Sequence, residues 1–418
     1  MSENQLNRSM RDLQSPEFTP ELRLAVACAC WPLGDEGRQE IRLKAAAELD
    51  WDRFLAWVAR HGVAPLVYQN LRESAPSSMP GAVLGQLHDW TMTSARRALV
   101  QIGEAARITR LLSNAGIRSM MLKGPVLSLL AYGDATLRAS RDIDLLVDPG
   151  QVREAERLIG EAGYRRFDPN FELTPRQRQI FQRVRCQFAY FSEKTSVVQE
   201  LHWRLSSNPT LLPLDEQALW SRPDHVHLQG IDFITLPDEE LFLYLCVHAA
   251  VHVWFRLKWL ADIAALLRRM PPGALDSVER RADSLGVARP FHQALLLAHS
   301  LLGAPVPAQI LTTAALDKAA LGSAKAARRA LSWKGSPSEP AETRWFNAWV
   351  GLQAYRLRPE LAYRWAEWQD QLCSPEDWAR MPLPEWLFFL YAPLRPFSWA
   401  VRKLKKVLIR SLPRAAKP

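Results

Sequence analysis

The feature that most constrains the fold is a short apolar run that two aspartates interrupt, Asp142-Ile-Asp-Leu-Leu-Val147. Aliphatic residues at this density are typical of a buried strand, and side chains two positions apart in a strand share a face. Asp142 and Asp144 must therefore project from the same side of a buried strand. Two carboxylates this close beside a core are unfavourable unless a cation lies between them. Their hard oxygen atoms suit Mg²⁺.

The segment before this strand predicts a phosphate-binding turn. Residues 119–122 form a second apolar strand, Lys123-Gly124-Pro125 turns the chain, and a short helix follows from Val126 to Tyr132. Glycine allows close backbone approach, proline suits the first helical position, and a helix N-terminus presents free N–H groups to an anion. We expect a phosphate chain to rest on the turn while the aspartates hold its metal ion.

These residues carry a resemblance to a known family. Leu122-Lys123-Gly124, Arg138, the run from Asp142 to Val147 and Gly163-Tyr164 together resemble the nucleotidyltransferase superfamily, which has the fold of DNA polymerase beta. Within it, the chain is similar to the bacterial branch named nucleotidyltransferase family protein, over about residues 50 to 270. Members move a nucleoside monophosphate (NMP) from a nucleoside triphosphate (NTP) to an acceptor. They use two carboxylates on one strand and a third on a neighbouring strand.

The predicted nucleotide-binding residues are Lys123, Gly124, Arg138 and Arg141. Many superfamily members have Gly-Ser or Gly-Gly at the turn, whereas this chain has Gly124-Pro125. The serine hydroxyl is absent, so we expect Lys123 to take over part of its role. A lysine at a strand end is also commonly just solvent-exposed. Arg138 and Arg141 flank the aspartate strand and can hold phosphate in a bidentate manner; the family pattern marks Arg138.

A β-hairpin is predicted by two alternating runs, Cys186 to Phe191 and Val197 to Leu205. Glu200 and His202 share a face of the second run. The resemblance implies that Glu200 is the third carboxylate, acting as a metal ligand or as a base, and that His202 lies beside the metal site. The alternative is that both residues form the exposed face of an edge strand.

From Pro213 onward the chain is predicted to be helical, with one long helix from Asp238 to Asp262. Its polar residues recur at intervals of four, four and three positions and so form one stripe: His248, His252, Arg256 and Trp259, extended by Asp262. As the resemblance implies, we predict that this stripe is a cleft wall opposite the aspartates. The alternative is a polar seam satisfied by hydrogen bonds between helices.

The length and composition indicate a globular protein with more than one core. We predict the α+β class, with a small mixed β-sheet core between N-terminal and C-terminal helical regions. The predicted segments are a flexible tail (1–20), an N-terminal helical region (21–115), a nucleotidyltransferase α/β core (116–205), a helical domain (206–331) and a tryptophan-rich helical region with a basic C-terminal tail (332–418).

The net charge and the N-terminal residues restrict which partners and which cellular location we expect. The formal net charge of +9 suits a phosphate-bearing partner such as a nucleotide, a nucleic acid or an anionic membrane surface. The first residues have no apolar segment of signal type, so we expect a cytoplasmic protein. Apolar residues from Trp386 to Val401 precede the basic segment Arg402 to Arg410. This pattern is typical of peripheral contact with anionic membrane, or of a terminal helix docked on the domain.

The resulting hypothesis is a nucleotidyltransferase that uses Mg²⁺ or Mn²⁺ and transfers NMP from an NTP, with ATP as the favoured donor. Its acceptor is expected to be a hydroxyl of a small molecule, glycan precursor or protein. An alternative is a catalytically weak nucleotide-binding or interaction module of the same fold, which the missing serine supports. A basic nucleic-acid-binding protein is the third interpretation. Recognisable RNA-binding or helix-turn-helix motifs are absent from the sequence, so no specific nucleic acid is expected.

Overall fold

The computed structural model describes residues 18–75, 78–333, 340–372, 375–395 and 397. Most of the predicted flexible tail and the whole basic segment from Arg402 to Arg410 lie outside the described residues. Within the described residues, no helix combines the length and the hydrophobicity that crossing a bilayer requires.

Within the described residues, five helices precede the sheet. They are α1 (Pro20–Ala27), α2 (Asp35–Ala45), α3 (Trp51–His61), α4 (Ala64–Ser74) and α5 (Gly81–Asn114). Asp50 caps α3, because its side chain accepts a hydrogen bond from the Arg53 amide. Gly62 ends α3 in the left-handed conformation, with φ of +66°. The corner between α3 and α4 therefore turns sharply.

Seven strands form one mixed sheet in the order β3-β4-β5-β2-β1-β7-β6. Their bounds are β1 (Ser119–Met121), β2 (Asp142–Val147), β3 (Arg165–Asp168), β4 (Gln187–Ser192), β5 (Val197–His202), β6 (Asp224–Leu228) and β7 (Ile231–Thr235). The strands β2 and β5 are parallel, and so are β1 and β7. The remaining neighbours are antiparallel. A mixed sheet flanked by many helices confirms the predicted α+β class.

Helices connect and follow the strands. Between strands lie α6 (Gly124–Tyr132), α7 (Val152–Glu161), α8 (Pro175–Val184) and α9 (Glu216–Ser221). After the sheet come α10 (Asp238–Val251), α11 (Leu257–Arg269), α12 (Ala274–Leu285), α13 (Ala288–Leu302), α14 (Ala308–Leu316), α15 (Lys318–Leu331), α16 (Pro340–Ala354), α17 (Leu361–Leu372) and α18 (Pro375–Arg380). Short 3₁₀ segments occupy Pro149–Gln151 and Glu385–Leu390.

The hairpin of β6 and β7 corrects the prediction that the chain is helical from Pro213 onward. Apolar residues alternate along both strands, and Leu228 pairs with Ile231 across a two-residue turn. Gln229 and Gly230 in that turn both have positive φ, 54° and 75°. Such turns match the twist of the flanking strands. Alternating apolar residues on either side of a Gln-Gly turn are a local hairpin signal.

The two faces of β2 pack into separate hydrophobic cores. Ile143 and Leu145 lie in a core with α5 and α7, whereas Leu146 lies in a larger core built from the N-terminal helices and α10 to α15. Residues two positions apart share a face. Asp142 and Asp144 therefore project on the side of the larger helical core.

The prediction of one long helix from Asp238 to Asp262 is wrong, because the chain leaves the helical conformation between α10 and α11. Val253 and Trp254 both have positive φ, 50° and 54°, a conformation that is an outlier for β-branched and bulky residues. Both side chains are buried, and this burial offsets the strain. The break turns the chain, so α11 does not continue the stripe of α10.

Candidate active site

Register within the sheet brings three ligand-type side chains together. On the parallel strands β2 and β5, Asp144 is paired with Glu200 and Leu146 with His202. Asp144, Glu200 and His202 therefore point to one face. One potential ligand atom from each of the three residues lies within 4.8 Å of the others.

Asp144 is the most buried member of this group, with 0 % of its surface exposed. The Lys123 Nζ lies 2.9 Å and the His202 Nε2 lies 3.3 Å from its Oδ1. Burial raises the pKa of Asp144, but the charge of Lys123 and the contact with His202 hold that pKa well below its usual range. Neither carboxylate oxygen accepts a hydrogen bond of good geometry from the described residues. An ionised carboxylate with unused lone pairs suits a divalent cation.

Lys123 provides the positive charge in this site. Its Nζ also lies 5.8 Å from the centroid of the Tyr244 ring. Burial lowers the pKa of Lys123, but the negative charge of Asp144 more than reverses this effect and raises the pKa. Gly124, which follows Lys123, has φ of +71° and is buried behind it. The turn thus aims Lys123 at the carboxylates.

Asp142 lies at the more open side of the same cleft and is half-buried. Burial and the charges of Asp144 and Glu200 raise the pKa of Asp142. It is not a member of the compact three-residue group. The sequence predicted Asp142, Asp144 and Glu200 as metal ligands; the structure brings the last two together with His202 and places Asp142 beside them.

His202 is buried in the middle of the sheet, because β5 lies between β4 and β2. The alternative that Glu200 and His202 form the exposed face of an edge strand is therefore wrong. The His202 Nε2 lies 3.4 Å from the Glu200 Oε2. Burial lowers the pKa of His202, but its close polar contacts with Asp144, Cys186 and Glu200 raise that pKa well above the usual value. A metal ligand must be the neutral imidazole, so an ion bound here would take the place of the proton that the two carboxylates favour on His202.

These residues line an open cleft that we name the carboxylate cleft, whose empty space, open solvent included, is about 1440 Å³. The predicted site residues that line it are Lys123, Arg138, Asp142, Asp144, Glu200, His202, His248 and His252. Gly124, Arg141, Arg256 and Asp262 do not line it.

An aromatic cluster forms the wall opposite the carboxylates. The His248 and His252 rings lie 4.9 Å apart, and His252 stacks on Trp259 at 5.3 Å. Burial lowers the pKa of both histidines, that of His252 to about 4, so both imidazoles are neutral at pH 7. His248, His252 and Trp259 thus meet as predicted. They do so across the break between α10 and α11, not along one helix.

Hydrogen bonds to Asp262 hold the Arg138 side chain in place. Its Nε donates to both Asp262 carboxylate oxygens, at 2.9 and 3.1 Å, and Tyr132 donates a third hydrogen bond to the same carboxylate at 2.8 Å. Arg138 is only 5 % exposed. Asp262 therefore positions Arg138 at the cleft and does not face the cleft itself.

Lys258 is a site residue that the sequence reasoning missed. It lines the carboxylate cleft, and its Nζ donates to the Ala139 carbonyl at 3.2 Å. Burial and the nearby charge of Arg138 lower the pKa of Lys258 to about 7. On a continuous helix this residue would lie off the predicted stripe. No local signal identified it, because the strained break alone turns it toward the cleft.

Comparison with protein families matches residues 47–303 to the family described as uncharacterised nucleotidyltransferase. The chain belongs to this family, which confirms the resemblance inferred from the sequence. No curated protein matches the chain. Nucleotidyltransferases generally use divalent metal ions, and Asp144, Glu200 and His202 form a donor set that can hold one.

Proposed function

We propose that this protein is a metal-dependent nucleotidyltransferase that transfers NMP from an NTP, with ATP as the first candidate, to an acceptor hydroxyl. The observation that carries the proposal is the group of Asp144, Glu200 and His202, with ligand atoms within 4.8 Å of one another and with both oxygens of Asp144 lacking a hydrogen-bond donor among the described residues. Such oxygens suit Mg²⁺ or Mn²⁺. Family membership over residues 47–303 supports the same chemistry.

In the proposed reaction, the acceptor oxygen forms a bond to the α-phosphorus of the NTP. The bond from that phosphorus to the bridging oxygen breaks, and pyrophosphate leaves with the electron pair. The acceptor proton passes to a base, for which Glu200 is the candidate, and from there to solvent. Phosphoryl transfer depends on positioning and on neutralising charge.

Each cleft residue has a proposed part in this reaction. Asp144, Glu200 and His202, with Asp142 beside them, would hold the metal, which supplies charge neutralisation to the phosphates when bound. Lys123 places a buried positive charge for the triphosphate, and Arg138 adds a second cation that Asp262 orients. The rings of His248, His252 and Trp259 offer a flat, neutral wall for a nucleobase.

The test combines binding with turnover. Addition of ATP with Mg²⁺ should raise the melting temperature, and pyrophosphate should appear when the four NTPs are screened against cell extract. The double variant Asp142→Asn, Asp144→Asn should lose the metal-dependent thermal shift and lower turnover by about 10²-fold or more. Asp89→Asn, which removes an exposed carboxylate on α5, is the matched control. Full turnover in the double variant would show that these residues do not bind the metal.

A second candidate is a nucleotide-binding module with little catalytic activity. One observation favours it: Lys123 already neutralises Asp144 at 2.9 Å, so the site is charge-compensated without an ion. Binding of NTP without release of pyrophosphate from any extract fraction would support this candidate.

A further inference from the structure

A second cavity lies next to the carboxylate cleft, and we name it the cationic pocket; its empty space, open solvent included, is about 1160 Å³. It lies between the α3–α4 corner, α5, residues 139–141 and the start of α11. The residues that matter for its chemistry are Trp90, Arg97, Arg141, Arg256, Lys258 and Trp259. Lys258 and Trp259 line both cavities. A ligand in either cavity would therefore contact side chains that also line the other cavity.

The charged side chains that line the cationic pocket are all basic. Three arginines and one lysine line it, and its lining contains no aspartate or glutamate. None of these four cations forms an ion pair with a carboxylate among the described residues. Arg256 donates to the Arg60 carbonyl, and Lys258 to the Ala139 carbonyl. Backbone carbonyls satisfy donors but do not neutralise charge.

The cations also repel one another. The charge of Arg141, together with burial, lowers the pKa of Arg256, and burial with the charge of Arg138 lowers that of Lys258. Gathering like charges in a partly buried hollow is costly unless an anion binds there. Because several cations converge, a doubly charged group such as a phosphate monoester fits better than a single carboxylate.

The anion expected here is distinct from the triphosphate of the NTP. The proposed metal ligands and Lys123 line the carboxylate cleft, and none of them lines the cationic pocket. The triphosphate therefore has its own partners. Trp90, Phe255 and Trp259 provide the apolar surface of the cationic pocket. A ligand there would combine an anionic group with a flat or apolar part.

We propose that the cationic pocket binds the acceptor, and that the acceptor is a small molecule carrying a phosphate monoester and a flat or apolar portion. Assigning this ligand as the acceptor depends on the proposed nucleotidyltransferase function; the pocket's selectivity for anions does not. The phosphate anchors on Arg97, Arg141 and Arg256. A hydroxyl elsewhere on the acceptor then reaches the carboxylate cleft past Lys258 and Trp259.

The experiment is calorimetric titration of phenyl phosphate into the full chain, with Mg²⁺ and an ATP analogue whose α,β-bridge is methylene. Phenyl phosphate should bind with the analogue already present, and benzyl alcohol, a neutral probe, should not. Benzoate, with a single negative charge, should bind more weakly. Arg97→Gln should weaken phenyl phosphate binding at least tenfold. Arg97 is an exposed residue on α5, so the variant should keep its fold.

Arg96→Gln removes the neighbouring exposed charge on the same helix and is the matched control, with unchanged affinity expected. The proposal is overturned if phenyl phosphate does not bind, if Arg97→Gln binds it as well as the wild type, or if the analogue displaces it. If the ATP analogue does not bind but phenyl phosphate still binds through Arg97, the result supports an anion-binding pocket. The same result would contradict the proposed nucleotidyltransferase function.

Discussion

Lys123 and Asp144 form a buried ion pair at the centre of the carboxylate cleft, with side chains that are 9 % and 1 % exposed. A buried pair contributes little net stability, but removal of one partner leaves an uncompensated charge. In this protein a bound metal ion and the lysine would both neutralise the same carboxylate. The stability of variants at this pair therefore reports on metal binding.

We predict that Lys123→Met lowers the free energy of unfolding by about 3–5 kcal/mol in EDTA. Millimolar Mg²⁺ should restore more stability to this variant than it adds to the wild type, because the ion replaces the lost charge. Urea unfolding with and without Mg²⁺ measures both effects. Lys194→Met, in the exposed turn of the β4–β5 hairpin, is the control. An equal response to Mg²⁺ in Lys123→Met and wild type would contradict metal binding at Asp144.

Lys258 makes stability depend on pH in an unusual direction for a lysine. Burial and the charge of Arg138 lower its pKa to about 7 in the folded protein, whereas a lysine in an unfolded chain has a pKa of about 10.4. Between these values the unfolded state binds more protons than the folded state. The contribution of Lys258 to the unfolding free energy therefore rises with pH over this window.

We predict that Lys258→Met is more stable than the wild type below pH 7 and that the difference shrinks as pH rises toward 10. The slope of the difference should be at most about 1.4 kcal/mol per pH unit. Urea unfolding at several pH values provides the measurement, and Lys318→Met, an exposed lysine on α15, is the control. A difference that does not change with pH would show that Lys258 titrates normally.

At the scale of elements, the turn between β1 and α6 depends on the left-handed conformation of Gly124, with φ of +71°. A Cβ added there would lie 3.6 Å from the Asp142 carbonyl oxygen, which is ordinary contact. Backbone strain, not lack of space, is therefore what disfavours other residues at this position.

We predict that Gly124→Ala lowers the unfolding free energy by about 1–2 kcal/mol and weakens NTP binding, because strain moves Lys123. The matched control is Gly85→Ala within α5, where no neighbour lies within 4 Å of the added Cβ. That substitution should stabilise the protein by about 1 kcal/mol. Thermal unfolding of both variants checks the opposite signs. Stabilisation by Gly124→Ala would show that the turn adopts another conformation.

Helices and strands differ in how far local sequence predicted them. The strands β2, β4 and β5 and the Lys-Gly turn follow from alternation and turn residues, which act over a few positions. The break between α10 and α11 does not. Val253 and Trp254 adopt positive φ against their local preference because burial in the folded chain offsets the strain.

At the scale of the whole molecule, the site depends on elements far apart in sequence. The predicted α/β module, residues 116–205, contains the carboxylates but not β7, which pairs with β1. It also lacks α10 and α11, whose side chains form the opposite wall. The larger hydrophobic core joins the N-terminal helices with helices as far along the chain as α17, which contributes Tyr363.

We predict that the fragment 116–205 does not fold alone and does not bind ATP with Mg²⁺, whereas the full chain does both. The reason is that β1 loses β7, one of its two neighbours, and one face of the sheet loses its core. Far-UV circular dichroism and amide NMR dispersion test folding, and calorimetry tests binding. A folded fragment that binds nucleotide would show that the helical regions are dispensable for the site.

By itself, the sequence determined the α+β class, the family and the residues that carry chemistry on β2 and β5. These follow from side-chain periodicity and turn chemistry, which are local. The resemblance implied that Glu200 and His202 lie near the aspartates, but only the tertiary structure decided that His202 joins Asp144 and Glu200 in one compact group while Asp142 lies beside it. It also decided that Lys258 faces the cleft and that arginines with no carboxylate partner among the described residues gather in a second pocket. These features arise from contacts between residues distant along the chain, and no local pattern encodes them.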